Sequence, residues 1–174
     1  LDNTLPNVFL SKSDLQSDIW RQQVCFEKGK TYIIEAGSGT GKSSLCSFVI
    51  GCRQDFDGKI LFDGMDSRRL GTKDWVKLRQ NNISLLFQEL RLFPELTAME
   101  NVEIKNSLTH FKSKQEIQCW FEALGIADKM ATPIRLMSFG QQQRVAMIRA
   151  LVQPFDFLLA DEPVSHLDEN NSQI

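Results

Sequence analysis

The sequence predicts an α/β fold in which helices surround a mostly parallel sheet. One observation is an apolar run at residues 32–34, which leads through a glycine-rich turn into a helical pattern at residues 45–50. Another is the apolar run at residues 157–160, which is followed directly by two carboxylates. Apolar runs of this kind are typical of parallel strands, because both faces of such strands are buried. Strand-like and helical segments alternate between the two runs, so we expect the core to be built from alternating strands and helices.

Length and composition indicate one globular domain. The chain has 174 residues, of which 42% are hydrophobic and 24% are charged, enough for a substantial core. The net charge of -2 predicts no nucleic-acid partner. The four cysteines lack CxxC spacing, which predicts buried free thiols in a reducing compartment. No apolar run approaches the roughly 20 residues of a membrane span, so we expect a cytoplasmic chain.

The first 35 residues are expected to form an antiparallel β subdomain. Short apolar runs predict strands over residues 8–10 and 20–26. A turn rich in lysine and glycine then leads to a predicted strand over residues 31–35. That strand would feed the glycine-rich turn, so we expect it to belong to the sheet of the core.

The remaining elements follow from periodicity and turn residues. The helix after the glycine-rich turn is expected to end near Gly51, and a tight reversal is expected at Asp63-Gly64, a dipeptide that favours hairpins. The other predicted elements are helices over residues 73–81, 98–106 and 114–125 and strands over residues 83–87 and 157–160. Gly125 is the expected C-cap of the third of these helices.

The glycine-rich turn has the composition of a phosphate-binding loop. Its residues are Gly37, Ser38, Gly39, Thr40, Gly41, Lys42, Ser43 and Ser44. Glycines let successive backbone N–H groups converge on one point, and the helix N-terminus adds its positive dipole end. A polyphosphate is the expected ligand, with Lys42 reaching the β- and γ-phosphates and the Ser43 hydroxyl binding Mg²⁺. The strict pattern has glycine where Ala36 stands, which is a mild departure if φ there is negative.

Two later stretches carry further polar groups. Ser138 is a good N-cap for the helical pattern after it, and the N-terminus of that helix is a second anion-binding surface. A capped helix by itself is equally consistent with a purely structural role. The run at residues 157–160 ends at Asp161, which can hold Mg²⁺, and at Glu162, which can polarise an attacking water.

Together these stretches resemble the nucleotide-binding subunit of ABC transporters, in that family's order. The glycine-rich turn resembles the Walker A loop, and Gln88 resembles the Q-loop glutamine. Asp161 and Glu162 resemble the Walker B motif with its catalytic glutamate. Residues 138–141 resemble the signature sequence, and residues 165–168 the D-loop.

Two short stretches of sequence indicate one subgroup of this family. Residues 92–97 followed by 100–102, and residues 159–163, resemble the subgroup that serves lipoprotein release, macrolide export and cell division. The family resemblance implies a P-loop NTPase fold in a single domain. Within it, residues 1–87 and 136–174 would form a RecA-like core with the β subdomain, and residues 88–135 an inserted helical subdomain.

The resemblance also implies a head-to-tail dimer with a second nucleotide-binding subunit. ATP would lie between the Walker A loop of one subunit and the signature helix of the other. The signature residues expected to contact nucleotide are Ser138, Gly140 and Gln141. The catalytic residues it implies are Glu162, Lys42 and Gln88. The expected Mg²⁺ ligands are Ser43, Gln88 and Asp161.

The implied function is ATP hydrolysis that powers a transporter through ATP-driven dimerisation. The implied partner is a transmembrane permease, which would hold the chain at the inner face of the cell membrane. The family's switch histidine lies on a strand beyond Walker B, so the domain is expected to be truncated at its C-terminus. Phe9 and Trp20 are the nearest candidates for stacking on adenine.

Two alternatives to a transport ATPase stay open. One is a soluble ABC ATPase of DNA repair or translation. The net charge and the short separation of 50 positions from Gln88 to Ser138 disfavour it. The other is an ATP-binding regulatory module with little turnover. Phe139, which replaces a signature glycine of the family, favours the second alternative, whereas Lys42 and Glu162 oppose it.

Overall fold

The computed structural model describes residues 1–12 and 15–161. The chain divides into two compact units, Leu1–Arg79 and Gln80–Ile174. Both units contain helices and strands, as expected for an α/β chain.

The first unit contains two small antiparallel sheets. Its strands are β1 (Asp2–Pro6) paired with β2 (Phe56–Lys59), and β3 (Leu61–Phe62) paired with β4 (Met65–Asp66). The turn between β3 and β4 consists of Asp63 and Gly64, whose φ angles are 47° and 85°. Positive φ at both positions matches a type I′ turn, so the predicted Asp-Gly reversal is confirmed.

The helices of the first unit are α1 (Lys42–Val49) and α2 (Thr72–Asn81). Gly51 ends α1 with a φ of 70°, as predicted. A Cβ atom at Gly51 would lie 2.5 Å from the ring of Trp75. Glycine is therefore required at this position both by its φ angle and by the approach of the ring.

The core of the first unit is rich in aromatic side chains. Its buried members are Leu5, Phe9, Trp20, Leu45, Phe48, Phe56 and Ile60. The buried hydroxyl of Thr4 donates a hydrogen bond to the carbonyl of Lys59 at 2.7 Å, which ties β1 to β2 through a side chain.

Two of the strands predicted near the N-terminus do not form. A 3-10 turn over Asn7–Phe9 forms where a strand was predicted over residues 8–10. Of the residues 8–10, only Phe9 is buried in the core. Pro6 ends β1, since proline has no N–H to extend the ladder. Residues 20–26 contribute a single bridge to β1, at Gln23.

The strand predicted over residues 31–35 is also absent from the described structure. The segment has no strand assignment, and the side chain of Ile33 is 82% exposed. A strand gains its hydrogen bonds only from a neighbour, and an apolar run in the sequence does not report whether a neighbour pairs with it. The glycine-rich turn is therefore approached by irregular backbone.

The second unit combines a parallel strand pair with three helices. Its strands are β5 (Ile83–Leu86) and β6 (Phe157–Ala160), which confirms the two predicted strands. Its helices are α3 (Ala98–Asn106), α4 (Lys114–Ala123) and α5 (Phe139–Leu151).

The helices of the second unit share one buried core. Its members are Ala98, Val102, Ile117, Phe121, Ile126, Ile134, Met137, Val145, Ile148 and Val152. Each helix begins with a capping box, formed by Thr97 with Glu100, Ser113 with Glu116, and Ser138 with Gln141. The predicted N-cap at Ser138 is thus confirmed, as is Gly125 in the left-handed conformation (φ 65°) after α4.

Asn101 organises the loop that precedes α3. Its side chain is fully buried, and its Oδ1 accepts a hydrogen bond from the backbone N–H of Phe93 at 2.8 Å. Its Nδ2 lies 3.1 Å from the carbonyl oxygen of Phe93, 3.3 Å from that of Leu96 and 3.0 Å from that of Thr97. One amide therefore satisfies the backbone polar groups of a whole turn.

The cysteines form no disulfide, as predicted. Cys25, Cys52 and Cys119 are exposed and Cys46 is partly exposed, so the expectation of buried thiols is wrong. Among the residues described, none of the helices is long and apolar enough to span a membrane.

Replacing Asn101 by Ala should destabilise the second unit strongly. The change removes the Oδ1 that accepts from the N–H of Phe93 and the Nδ2 that faces three carbonyl oxygens, and it leaves space at a fully buried position, which together cost about 2 kcal/mol or more. Urea unfolding followed by circular dichroism measures the loss. Gln115→Ala, at an exposed position of α4, is the control and should change the unfolding free energy by less than about 0.5 kcal/mol. Equal effects of the two substitutions would contradict the role of Asn101.

The capping box of α4 should make stability depend on acid pH. Hydrogen bonds from Ser113, chiefly from its backbone N–H, and from Lys112 lower the pKa of Glu116 from 4.5 to about 2. The ionised carboxylate therefore stabilises the folded state above pH 4.5, and this contribution disappears as the pH falls towards 2. Glutamine can make the same cap without titrating.

We therefore expect the difference in Tm between the wild type and Glu116→Gln to shrink between about pH 5 and about pH 2. Thermal melts across this range measure it. Glu122→Gln, at an exposed position of the same helix outside the capping box, is the matched control. A difference for Glu116→Gln that does not vary with pH would refute the assignment.

Candidate functional site

The glycine-rich turn is anchored on the aromatic core of the first unit. Gly41 is the N-cap of α1 and has a φ of 98°. A Cβ atom there would lie 3.1 Å from the rings of both Phe9 and Trp20. The indole N–H of Trp20 donates to the carbonyl of Thr40 at 2.9 Å. The base of the turn is therefore fixed by packing and by a hydrogen bond, and position 41 requires glycine.

The side chain of Lys42 folds back into the turn and donates hydrogen bonds to its backbone. Its Nζ donates to the carbonyl of Ala36 at 2.7 Å and to that of Gly37 at 3.2 Å. The Thr40 hydroxyl donates to the same Gly37 carbonyl at 2.8 Å. The ammonium group thus lies inside the loop that precedes α1. Ala36 does not adopt a positive φ, so its methyl group imposes no backbone strain.

A cavity of about 390 Å³ opens beside this loop. Ala36, Thr40 and Lys42 line one part of it, and the rings of Phe26 and Tyr32 line another. The two rings pack edge to face with centroids 5.0 Å apart. A cavity of this size with a cation and aromatic walls can hold a small ligand that is anionic at one end.

The aromatic residues predicted to stack on adenine belong to the core beside the glycine-rich turn. Phe9 and Trp20 are each only 6% exposed and pack against Gly41. Trp20 also lines the cavity beside the loop. Stacking of either ring on adenine stays a prediction.

In the second unit, Gln88 and Asp161 follow neighbouring parallel strands. Leu86 of β5 pairs with Ala160 of β6, and the N–H of Asp161 donates to the carbonyl of Leu86 at 3.1 Å. Gln88 comes two residues after Leu86 and is half-buried. The structure therefore brings these two predicted residues to one edge, the carboxyl end of the strands, where ligands of α/β proteins bind. Glu162 and residues 165–168 lie outside the described residues.

The predicted signature residues form the exposed start of α5. Ser138 Oγ accepts from the N–H of Gln141 at 3.3 Å, and Gln141 Oε1 accepts from the N–H of Ser138 at 3.0 Å. Phe139 is 42% exposed, and a Cβ atom at Gly140 would meet no atom within 4 Å. Packing among the described residues therefore does not explain why position 140 is glycine.

Sequence reasoning missed Arg149, which holds the loop after Gln88. The guanidinium of Arg149 donates to the carbonyl of Arg91 at 2.7 Å and also to that of Leu90. Leu90 and Arg91 have φ angles of 57° and 49°. Burial lowers the pKa of Arg149. A basic residue near a helix C-terminus is ordinarily interpreted through the helix dipole, so the sequence carried no specific signal for this contact.

Comparisons with known proteins agree with this geometry. The sequence profile of the ABC transporter family matches residues 21–165. YclH of Bacillus subtilis (strain 168), an uncharacterized ABC transporter ATP-binding protein, is 36% identical over 86% of this chain and 67% of its own length. LolD of Buchnera aphidicola subsp. Schizaphis graminum (strain Sg), a lipoprotein-releasing system ATP-binding protein, is 33% identical over 84% of this chain and 66% of its own length.

A fused relative and a solved structure extend the comparison. The macrolide export ATP-binding/permease protein MacB of Pasteurella multocida (strain Pm70) is 35% identical over 83% of this chain and 23% of its own length. The dimeric structure of MJ0796, a bacterial ABC transporter cassette, superposes with a TM-score of 0.65 at 31% identity, covering 77% of this chain and 61% of that one.

The likeness confirms the predicted fold class and the predicted subgroup. The chain spans about two thirds of the length of YclH and of LolD. The match to the solved cassette shows the P-loop NTPase fold, and LolD and MacB belong to the systems that the short strings of the sequence resembled. This chain belongs to the ABC transporter family, and within that family to the ATP-binding cassettes.

Proposed function

We propose that this chain binds ATP and hydrolyses it to power a membrane transporter. The observation that carries the proposal is the position of Lys42, whose ammonium lies inside a glycine-rich loop at the N-terminus of α1. An ammonium, converging N–H groups and a helix dipole together favour a polyphosphate over other anions. A second solved structure of MJ0796, bound to ADP and Pi after hydrolysis, supports turnover at such a site.

Hydrolysis on this proposal relies on positioning and electrostatics. Residues 37–44 cradle the phosphates, and Lys42 stabilises negative charge on the β- and γ-phosphates. Glu162 orients the attacking water, and Gln88 responds to the γ-phosphate from the end of β5.

On this proposal Mg²⁺ is bound together with the nucleotide. The described part of the chain has no cluster of three or more His, Cys, Asp or Glu side chains that could hold a metal. Mg²⁺ in nucleotide sites commonly takes one or two protein oxygens beside phosphates and waters. Ser43, Gln88 and Asp161 supply hard oxygen atoms of this kind and are the proposed ligands. Bound Mg²⁺ would neutralise charge on the phosphates.

A second copy or a related subunit would complete the site. The start of α5 is exposed, and Gly140 leaves open space above the helix N-terminus. Ser138, Gly140 and Gln141 can there offer a hydroxyl, close backbone approach and N–H groups to a γ-phosphate held by a partner subunit. The dimeric MJ0796 cassette supports this arrangement.

The proposed partner in the membrane is a transmembrane permease, with the chain at the inner face of the cell membrane. The permease segment within MacB supports the pairing. Within the proposed domain, residues 1–87 and 136–174 form the core with its β subdomain, and residues 88–135 form a helical subdomain.

A regulatory module with little turnover is the second candidate. It is favoured by Phe139, whose exposed ring occupies the signature position where the family has glycine. The two candidates differ in whether bound ATP is hydrolysed.

Replacing Lys42 by Ala should weaken ATP binding about 10- to 100-fold, because charge-assisted hydrogen bonds to the phosphates are lost. Titration with a fluorescent ATP analogue in the presence of Mg²⁺ measures the dissociation constant. Lys59→Ala removes an exposed lysine of the same unit and should leave the constant unchanged. Equal affinity of the wild type and Lys42→Ala would show that the loop is not the phosphate site.

Replacing Glu162 by Gln should separate binding from hydrolysis. We expect turnover to fall at least about 100-fold, since the water loses its base, while ATP binding persists and ATP-bound dimer accumulates. Phosphate release and size-exclusion chromatography with ATP measure the two effects, and Glu122→Gln is the control. A wild type that binds ATP without turnover in the presence of its permease would favour the regulatory module instead.

A further inference from the structure

The chain after α1 folds back along the helix that follows the phosphate-binding loop. Gly51, with its left-handed backbone, reverses the chain after Ile50. The backbone N–H groups of Cys52 and Arg53 then donate to the carbonyl of Ser47 at 2.9 Å and 3.3 Å. Arg53 is thereby directed back towards the N-terminal end of α1.

Arg53 is held over one face of α1 by several contacts. Its guanidinium lies 5.2 Å from the ring centroid of Phe48. Its Nε donates to Asp55 Oδ1 at 2.9 Å, and a second nitrogen donates to Asp55 Oδ2. The paired carboxylate raises the pKa of Arg53, and the guanidinium lowers the pKa of Asp55. The guanidinium of Arg53 is therefore oriented by its two hydrogen bonds to the Asp55 carboxylate and by the ring of Phe48.

The remaining guanidinium nitrogen reaches the phosphate-binding loop. It donates to the hydroxyl oxygen of Ser44 at 3.1 Å. Ser44 and Phe48 are four residues apart, so they lie on the same face of α1, the face that Arg53 covers. Ser44 belongs to the first turn of the helix, directly after Lys42 and Ser43.

We propose that Arg53 is a positioning residue for phosphate binding, which acts by orienting the hydroxyl of Ser44. The proposal rests on the proposed function, since it assigns a role at the same nucleotide site. It adds a residue nine positions beyond the loop to the machinery that holds the phosphates.

The physical reason lies in the hydrogen-bonding capacity of a hydroxyl. A serine hydroxyl has one proton to donate and two lone pairs that accept. When Arg53 occupies a lone pair of Ser44, the Ser44 proton is directed elsewhere, and it can be donated to a phosphate oxygen. Without Arg53 the hydroxyl can rotate, for example towards a carbonyl of the preceding turn, as serine does in helices.

The test is a double-mutant cycle on nucleotide affinity. Dissociation constants for the fluorescent ATP analogue with Mg²⁺ are measured for the wild type, Arg53→Gln, Ser44→Ala and the double variant. Each single change should weaken binding about threefold to tenfold, the effect of one hydrogen bond to a charged group. The double variant should be no weaker than Ser44→Ala alone, because Arg53 acts only through that hydroxyl.

Two further measurements separate positioning from a structural or general charge effect. Inorganic tripolyphosphate, used as a competitor, should lose the same factor as ATP in Arg53→Gln, because the effect is on the phosphates. Arg69→Gln removes an exposed arginine of the same unit and should leave both affinities unchanged. The Tm of Arg53→Gln should stay near that of the wild type, since its pair with Asp55 is exposed.

Three results would overturn the proposal while leaving the proposed function intact. They are wild-type affinity in Arg53→Gln, additive losses in the double variant, and an unchanged affinity for tripolyphosphate in Arg53→Gln. Failure of the proposed function has a different signature, namely a wild type that does not bind ATP or a Lys42→Ala variant that binds it equally well.

Discussion

The close packing of Gly41 against two buried aromatic rings is the constraint on which the site depends. A Cβ atom at position 41 would lie only 3.1 Å from the rings of Phe9 and Trp20, and the indole N–H of Trp20 also donates to the carbonyl of the preceding residue. The start of α1 is thus fixed to the core of its unit rather than carried by a mobile turn. Lys42 follows immediately, so the same packing sets the position from which its ammonium group reaches into the loop.

In the second unit, single side chains form hydrogen bonds with several backbone groups of a loop. Asn101 satisfies the turn before α3, and Arg149 satisfies the loop after Gln88. Capping boxes at three helices do the same for the helix N-termini. Loops of this kind keep a defined shape without regular secondary structure, because their polar groups are paired with buried or half-buried partners.

Local signals account for what the sequence predicted well. The caps at Ser138 and Gly125, the Asp63-Gly64 reversal and the helical periodicities depend on residues a few positions apart. The failed prediction of a strand at residues 31–35 concerns a distant partner, because the sequence carries no signal for a neighbouring strand. The core position of Trp20 is likewise set by contacts with residues twenty positions away and is not visible in the sequence. Arg53 and Arg149 were missed for the same reason, since an arginine does not indicate which carbonyl or hydroxyl it reaches.

The hydrogen bonds from Arg149 to the loop after Gln88 make the backbone of that loop sensitive to substitutions elsewhere in the chain. Leu90 and Arg91 occupy left-handed conformations that cost side-chain-bearing residues about 1 kcal/mol or more each, and hydrogen bonds from the half-buried guanidinium of Arg149 offset this cost. A residue in the last turns of α5 therefore holds this loop in a strained backbone conformation. Sequence changes around Arg149 would relax that strain and alter the backbone that follows Gln88, although the two residues are far apart in the sequence.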